Sequence, residues 1–476
     1  MVMSVHWNFC RTLAALTVFY LATFAASAGA ATSPHDECSA GANTSWTSGE
    51  KFAWQKICKN QTADFKDESD SQRTLSMGFL RAILSDPMYT KLISGRRVSI
   101  SSAKLGGMQT SDGEIVNANI DELEFDNCLV ENLQFTNGKM RSFVLRRGKV
   151  GILTFKTGSF SEISLSPEEA SIIELYNVGI DSYLSIVGQS TDSGMPDLSE
   201  NTEIDDVHLF GVHVRRFEIA NGTIIRRLKI EDSIVDEALA AGGISADSRN
   251  ANIESADIRS VKINGLLRLS SSNMSQLEII DTDSNRVSLP SKIPASINLK
   301  SFRFSSWLND LPTTVDYIKC NYNDRKGGCA YDPGVLDKIA LSFRQEGKYD
   351  AARYIQYLKA NDEYKSSTGV QRIYLSIFWA IVGYGFYPEI GFIWIGMLVI
   401  IGFFVFRTGQ LTSGVVPRSW LVYSVDTVVP VIRLDSKHDD IQFAGRRQYF
   451  VYTMRILSAG LAYLVFKFLQ NAVTGG

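Results

Sequence analysis

The sequence predicts a mainly β chain: a narrow β-solenoid with square-like coils, then a helical hairpin and transmembrane helices. Three observations predict it. Apolar residues recur at every fifth position over a long central stretch, helical spacing begins after Pro333, and uncharged apolar runs lie near the C-terminus. The chain has 476 residues, 45% hydrophobic and 21% charged, with a net charge of −3. At about 100–200 residues per domain, that length suits two to four domains. The balance excludes a disordered chain, a collagen-like fibre and a basic nucleic-acid-binding protein. A mean hydropathy of −0.02 suits a polar part joined to a membrane part.

Residues 1–30 read as a secretory signal peptide. Arg11 precedes an apolar run from Leu13 to Phe24, and small residues follow from Ala25 to Ala31, with Ala-x-Ala at Ala26–Ala28 or Ala28–Ala30. The alternative is an uncleaved anchor helix. After cleavage Cys38, Cys58, Cys128, Cys320 and Cys329 remain. Two local disulfides, within Cys38/Cys58 and Cys320/Cys329, would suit an oxidising space such as a bacterial periplasm, the alternative being unpaired surface thiols. No Cys-x-x-Cys pair supports zinc or redox chemistry. Residues 31–96 form an N-terminal segment in which Leu75, Phe79, Leu80, Ile83 and Leu84 have helical spacing, as a cap on an open β-edge would.

From Ile115 the apolar positions run through Ile120, Phe125, Val130, Phe135, Met140 and Leu145 to Ile180. The residues two before them are mostly small or apolar, among them Gly113, Leu123, Cys128, Leu133 and Phe143. A helix of 3.6 residues per turn would smear this period round its surface, and a plain strand alternates by two. A unit with two residues inward and three outward, reset every five, fits a chain that bends at regular corners. The pattern breaks at 185–203, slips by one residue before Ile225, and fades near Leu299 and Phe304. This spacing resembles the pentapeptide-repeat family over roughly 97–305. The resemblance implies a right-handed quadrilateral β-helix of 20 residues per coil. Eight or nine coils about 4.8 Å apart would give a rod on the order of 40 Å long.

Outward charges are segregated. Glu114, Asp121, Glu122, Glu124, Asp126 and Glu131 precede Lys139, Arg141, Arg146, Arg147, Lys149 and Lys156. Neighbouring belts of this kind neutralise each other; alternatively Arg141, Arg146, Arg147 and Lys149 form a basic ledge for an anionic partner.

Residues 306–332 read as a linker closed by the Cys320/Cys329 loop. Residues 333–368 read as a helical hairpin broken at Gly347, with Val335, Ile339 and Phe343 on one face and Ala351, Ala352, Ile355 and Leu358 beyond it. Residues 369–476 read as a membrane module with two spans. The first, Ile390–Phe406 with an apolar lead-in from Ile373, is long enough for a hydrocarbon core of about 30 Å. The second, Tyr449–Val473, contains Arg455 and Lys467, which can snorkel to opposite faces. Arg407, Arg418, Arg433, Lys437, Arg446 and Arg447 between the spans fit the positive-inside rule. The segment from Phe343 to Ile355, Gly383–Pro388 and Trp420–Leu434 resemble a bacterial two-helix membrane module that follows pentapeptide repeats and has ion-channel-like relatives. A potassium-type filter sequence is absent from this chain.

No nucleotide loop, nucleophile elbow or zinc-protease helix occurs. The five histidines have no metal-ligand or catalytic spacing, so neither enzyme activity nor a cofactor is expected. The expected function is an inner-membrane-anchored periplasmic scaffold or binding protein in a cell-envelope or polysaccharide process. Its expected partners are the lipid bilayer and a protein or glycan, with no nucleic acid. The alternative is a homo-oligomeric pore or transport component lined by Arg455, Lys467 or Asp426.

Overall fold

The computed structural model describes residues 38, 42–106, 113–188, 202–220, 222–242, 251–270, 273–323, 329–331, 333–387, 389–409, 411–413, 416–429 and 434–474. The signal-peptide stretch 1–30 lies outside them. The chain divides into two compact units, Met1–Pro294 and Ala295–Gly476.

In the first unit, helix α1 (Ser48–Cys58) opens with a capping box between Thr47 and Glu50. The Cys38–Cys58 disulfide forms, and the Trp54 indole N–H donates to the Cys38 carbonyl at 2.9 Å. Helix α2 (Met77–Ser85), capped by Ser76, buries Phe79, Leu80, Ile83 and Leu84, and Leu75 just before it is buried too. The last turn of α2 offers its Leu84 carbonyl to the Asn119 N–H at 2.9 Å, which ties the helix to the first strands.

Those strands are short: β1 (Ala63–Asp64), β2 (Thr74–Leu75), β3 (Arg97–Ser101), β4 (Lys104–Leu105) and β5 (Glu114–Val116). Two long winding elements follow, β6 (Glu122–Ser166) and β7 (Glu169–Val187). Then come β8 (Glu203–Phe210), β9 (His213–Ala220), β10 (Ile224–Glu231), β11 (Ile234–Ala241), β12 (Asn252–Arg259), β13 (Lys262–Leu269), β14 (Gln276–Ile280) and β15 (Asp283–Ser288). All pair in parallel, in a solenoid-like stack. Partners lie one rung apart, as in Lys149↔Glu169, Phe160↔Ile180, Ile163↔Leu184 and Ile258↔Ile279. The interior follows the five-residue rule: Leu123 and Phe125, Cys128 and Val130, Leu133 and Phe135, Phe143 and Leu145 are buried pairs. Stacking fills the shaft with rings, and Phe143 meets Phe125, Phe135 and Phe155 at centroid distances of 6.1, 5.6 and 5.0 Å.

A second period lies over the first. Asn117, Asn127, Asn137, Arg147, Thr157 and Asn177 adopt left-handed φ between 49° and 57°. These are tenth-residue corners, and asparagine is the side chain that best tolerates that conformation after glycine.

In the second unit, β16 (Ser296–Lys300) pairs in parallel with β18 (Cys329–Tyr331), and β17 (Arg303–Trp307) leads to helix α3 (Leu311–Asn323). The stretch expected as a linker loop is therefore a helix and a strand. The side chains of Cys320 and Cys329 lie outside the described residues. The hairpin forms as α4 (Pro333–Gln345) and α5 (Tyr349–Ser366), joined at Gly347 with φ 76°. The expected lead-in to the first span is a separate helix, α6 (Gly369–Val382). It ends at Gly383 in the left-handed region, and α7 (Glu389–Arg407) starts anew. The interspan stretch is not an open loop. Helix α8 (Trp420–Val428) and the antiparallel pair β19 (Leu411–Ser413) and β20 (Gln442–Phe443) close over Phe406, Tyr423, Ile441, Phe443 and Val451. Helix α9 (Arg446–Thr474) ends the described chain. Helix α7 and the Arg446–Lys467 part of α9 are long and apolar enough to cross a membrane. Only 17% and 28% of those stretches are buried, which separates them from the core helices of a soluble protein.

Candidate functional site

Two adjoining hollows lie on the outer surface of the stack. One, of about 430 Å³, runs from Arg97 across Glu122 and Arg141 to Glu162; the other, of about 520 Å³, runs from Tyr183 to Arg216 and Glu237. Ser182 lines both, so they form one groove along the stack. The register explains the hollow. Opposite the single residue Ser161, β7 carries two, Asp181 and Ser182; opposite Arg215, β11 carries Asp236 and Glu237. Such β-bulges re-aim side chains and open a ladder locally.

The groove is ionic but balanced. Arg97 reaches Glu124 at 2.9 Å and Glu122 at 3.7 Å, Arg141 pairs with Glu122, and Arg146 reaches Glu124 at 3.6 Å. On later rungs Arg215 and Arg216 hold Glu237 at 2.6 and 3.1 Å. The Arg215 hydrogen bond, outweighing partial burial and aided by Arg216, holds the Glu237 carboxyl below its ordinary pKa. Ser142 donates to Glu162 at 2.5 Å, and Tyr183 stands 38% exposed where the hollows meet.

The four cations singled out from sequence divide. Arg141 and Arg146 line the groove. Arg147 makes a two-pronged pair with Asp126, at 2.8 and 2.5 Å, and Lys149 meets Glu169 at 2.9 Å; neither lines a hollow with the other two. All four thus bridge to a carboxylate on an adjoining rung. His208 and His213 go to different partners, Glu231 at 3.2 Å and Asp236 at 2.9 Å. Cys128 is buried in the shaft, and desolvation pushes its thiol up to about 11, so it is inert packing. Among the described residues no group of His, Cys, Asp and Glu could hold a metal ion.

In the second unit, Arg455 and Lys467 are exposed on α9, whose buried side is Val451, Met454, Ser458, Leu461 and Val465. Asp426 is partly buried on α8, accepts the Leu434 N–H at 2.7 Å and the Asp435 N–H at 3.2 Å, and meets Nδ1 of the buried His438 at 2.5 Å. Burial works to raise its pKa, but the Leu434, His438 and Asp435 hydrogen bonds prevail and lower it. This pair holds the interspan fold together across 12 residues of chain.

Sequence reasoning missed both the groove and the Asp426–His438 pair. The groove had a faint signal, since Ile163 and Leu184 are 21 residues apart where Phe160 and Ile180 are 20 apart. The pair had none. No family model, curated protein or solved structure matches this chain.

Proposed function

We propose that the chain is a membrane-anchored scaffold or binding protein of a cell-envelope or polysaccharide process. In this reading the stack is a right-handed, four-sided β-helix of the pentapeptide-repeat kind, held in a bacterial periplasm, with α7 and α9 in the inner membrane. One observation carries it: the same chain joins an open polar groove to two apolar helices that are mostly exposed. Apolar surface left in water costs about 25 cal/mol per Å², which lipid contact removes. The Cys38–Cys58 disulfide supports an oxidising compartment. Binding is favoured over catalysis because the groove arginines are each already paired with carboxylates, leaving a rigid recognition surface rather than a poised acid and base.

The test uses full-length protein with a photo-crosslinking side chain in place of Ser182, irradiated in intact cells before an alkaline carbonate wash of the membranes. A larger, carbonate-resistant species is expected that is absent when Arg259 is the replaced residue. Protein in the wash, or no product specific to position 182, contradicts the proposal.

A further inference from the structure

The rungs supply the groove with a ruler. Its lining comes from seven successive rungs, those of Arg97, Glu122, Ser142, Glu162, Tyr183, Arg216 and Glu237. Six spacings of about 4.8 Å make it about 29 Å long. Its charges cancel. The first hollow has Arg97, Arg141 and Arg146 against Glu122, Glu124 and Glu162. The second has Arg215 and Arg216 against Glu218 and Glu237.

We infer that this groove binds an uncharged, linear oligosaccharide lying along the stack, with one sugar ring to each rung. The inference rests on the binding-scaffold reading and names its ligand. Four observations point to that chemistry. A net-neutral lining gives no attraction to a polyanion, so nucleic acid or an acidic polymer gains nothing from it. Charge-paired arginines and glutamates hold donors and acceptors at fixed positions, and sugar hydroxyls need both. Tyr183, partly exposed at mid-groove, offers an aromatic face on which the C–H side of a sugar ring can stack. The rung spacing is close to the length that one ring adds to an extended glycan, whereas an extended peptide rises about 3.4 Å per residue and falls out of step. A peptide also lacks an edge to join, because the rungs beneath the groove already hydrogen-bond to one another.

The test is calorimetric titration of the full-length protein in lipid nanodiscs with cellohexaose, N-acetylchitohexaose and, as the anionic control, hexagalacturonate. At least one neutral hexamer is expected to bind, with its dimer at least tenfold weaker. Tyr183→Ala, at a half-exposed position, should weaken the hexamer at least tenfold, while Glu278→Gln, outside the groove, leaves it unchanged. Binding of neither neutral hexamer, preference for hexagalacturonate, or a Tyr183→Ala protein that binds as before overturns the inference. A carbonate-resistant adduct at position 182 would still stand in any of those cases, so this failure is distinguishable from failure of the scaffold reading.

Discussion

Glu50 is 3% exposed and serves two helix starts at once. Its carboxylate accepts the Thr47 N–H at 2.8 Å, closing the cap of α1, and the Ser76 N–H and hydroxyl at 3.0 and 2.5 Å, anchoring the cap of α2. Burial opposes the charge, yet the Ser76 and Thr47 hydrogen bonds win and lower the pKa. A carboxyl with a lowered folded pKa contributes fully above its unfolded value of about 4.3, and that contribution is lost as pH falls through the folded value. Glu50→Gln should therefore cost about 1–3 kcal/mol at neutral pH and flatten the acid limb of the stability profile, read by thermal unfolding between pH 3 and 7. Gly148 makes a sharper demand. It has φ +90°, and an added Cβ would lie 2.2 Å from the Cys128 carbonyl oxygen. Gly148→Ala should destabilise that rung by more than about 1 kcal/mol, seen as faster amide exchange across residues 122–166. The Thr47-to-Glu50 spacing is a local capping pattern, but the reach of Glu50 to Ser76 and the approach of Gly148 to Cys128 were not legible in the sequence, because each joins residues that only the folded chain brings together.

At the scale of elements, the five-residue period gave the interior nearly residue by residue, because the shaft accepts only side chains that point inward. The corners were less legible. Their ten-residue period was written in Asn117, Asn127, Asn137 and Asn177, but Arg147 and Thr157 occupy the same conformation and hide it. Asn127→Val should cost about 1–3 kcal/mol while Asn127→Gly stays close to neutral, since a β-branched residue strains the left-handed region and glycine does not. Local amide exchange of β6 distinguishes the two. The charge belts were legible as sequence, and the structure shows them bridged from rung to rung. Exposed pairs such as Lys149–Glu169 are screened by solvent, so their value is in register and solubility more than stability. The bulges that open the groove escaped the period, since a single inserted residue looks like noise in a pattern already broken at 185–203. The interspan fold escaped for another reason: its core is drawn from α7, α8, β20 and α9, with no period to betray it.

For the whole molecule, the proposed function requires a polar stack outside the cytoplasm and apolar helices in the membrane. Those helices were legible from composition, because a hydrocarbon core imposes length and apolarity on whatever crosses it. Sidedness follows from less local information, and protease digestion of intact spheroplasts measures it most directly. If the account is right, protease added outside removes residues 42–294 while the membrane stays sealed, and a fragment containing α7 and α9 remains in the carbonate-washed pellet. A stack that is cut only after the spheroplasts are lysed would contradict it.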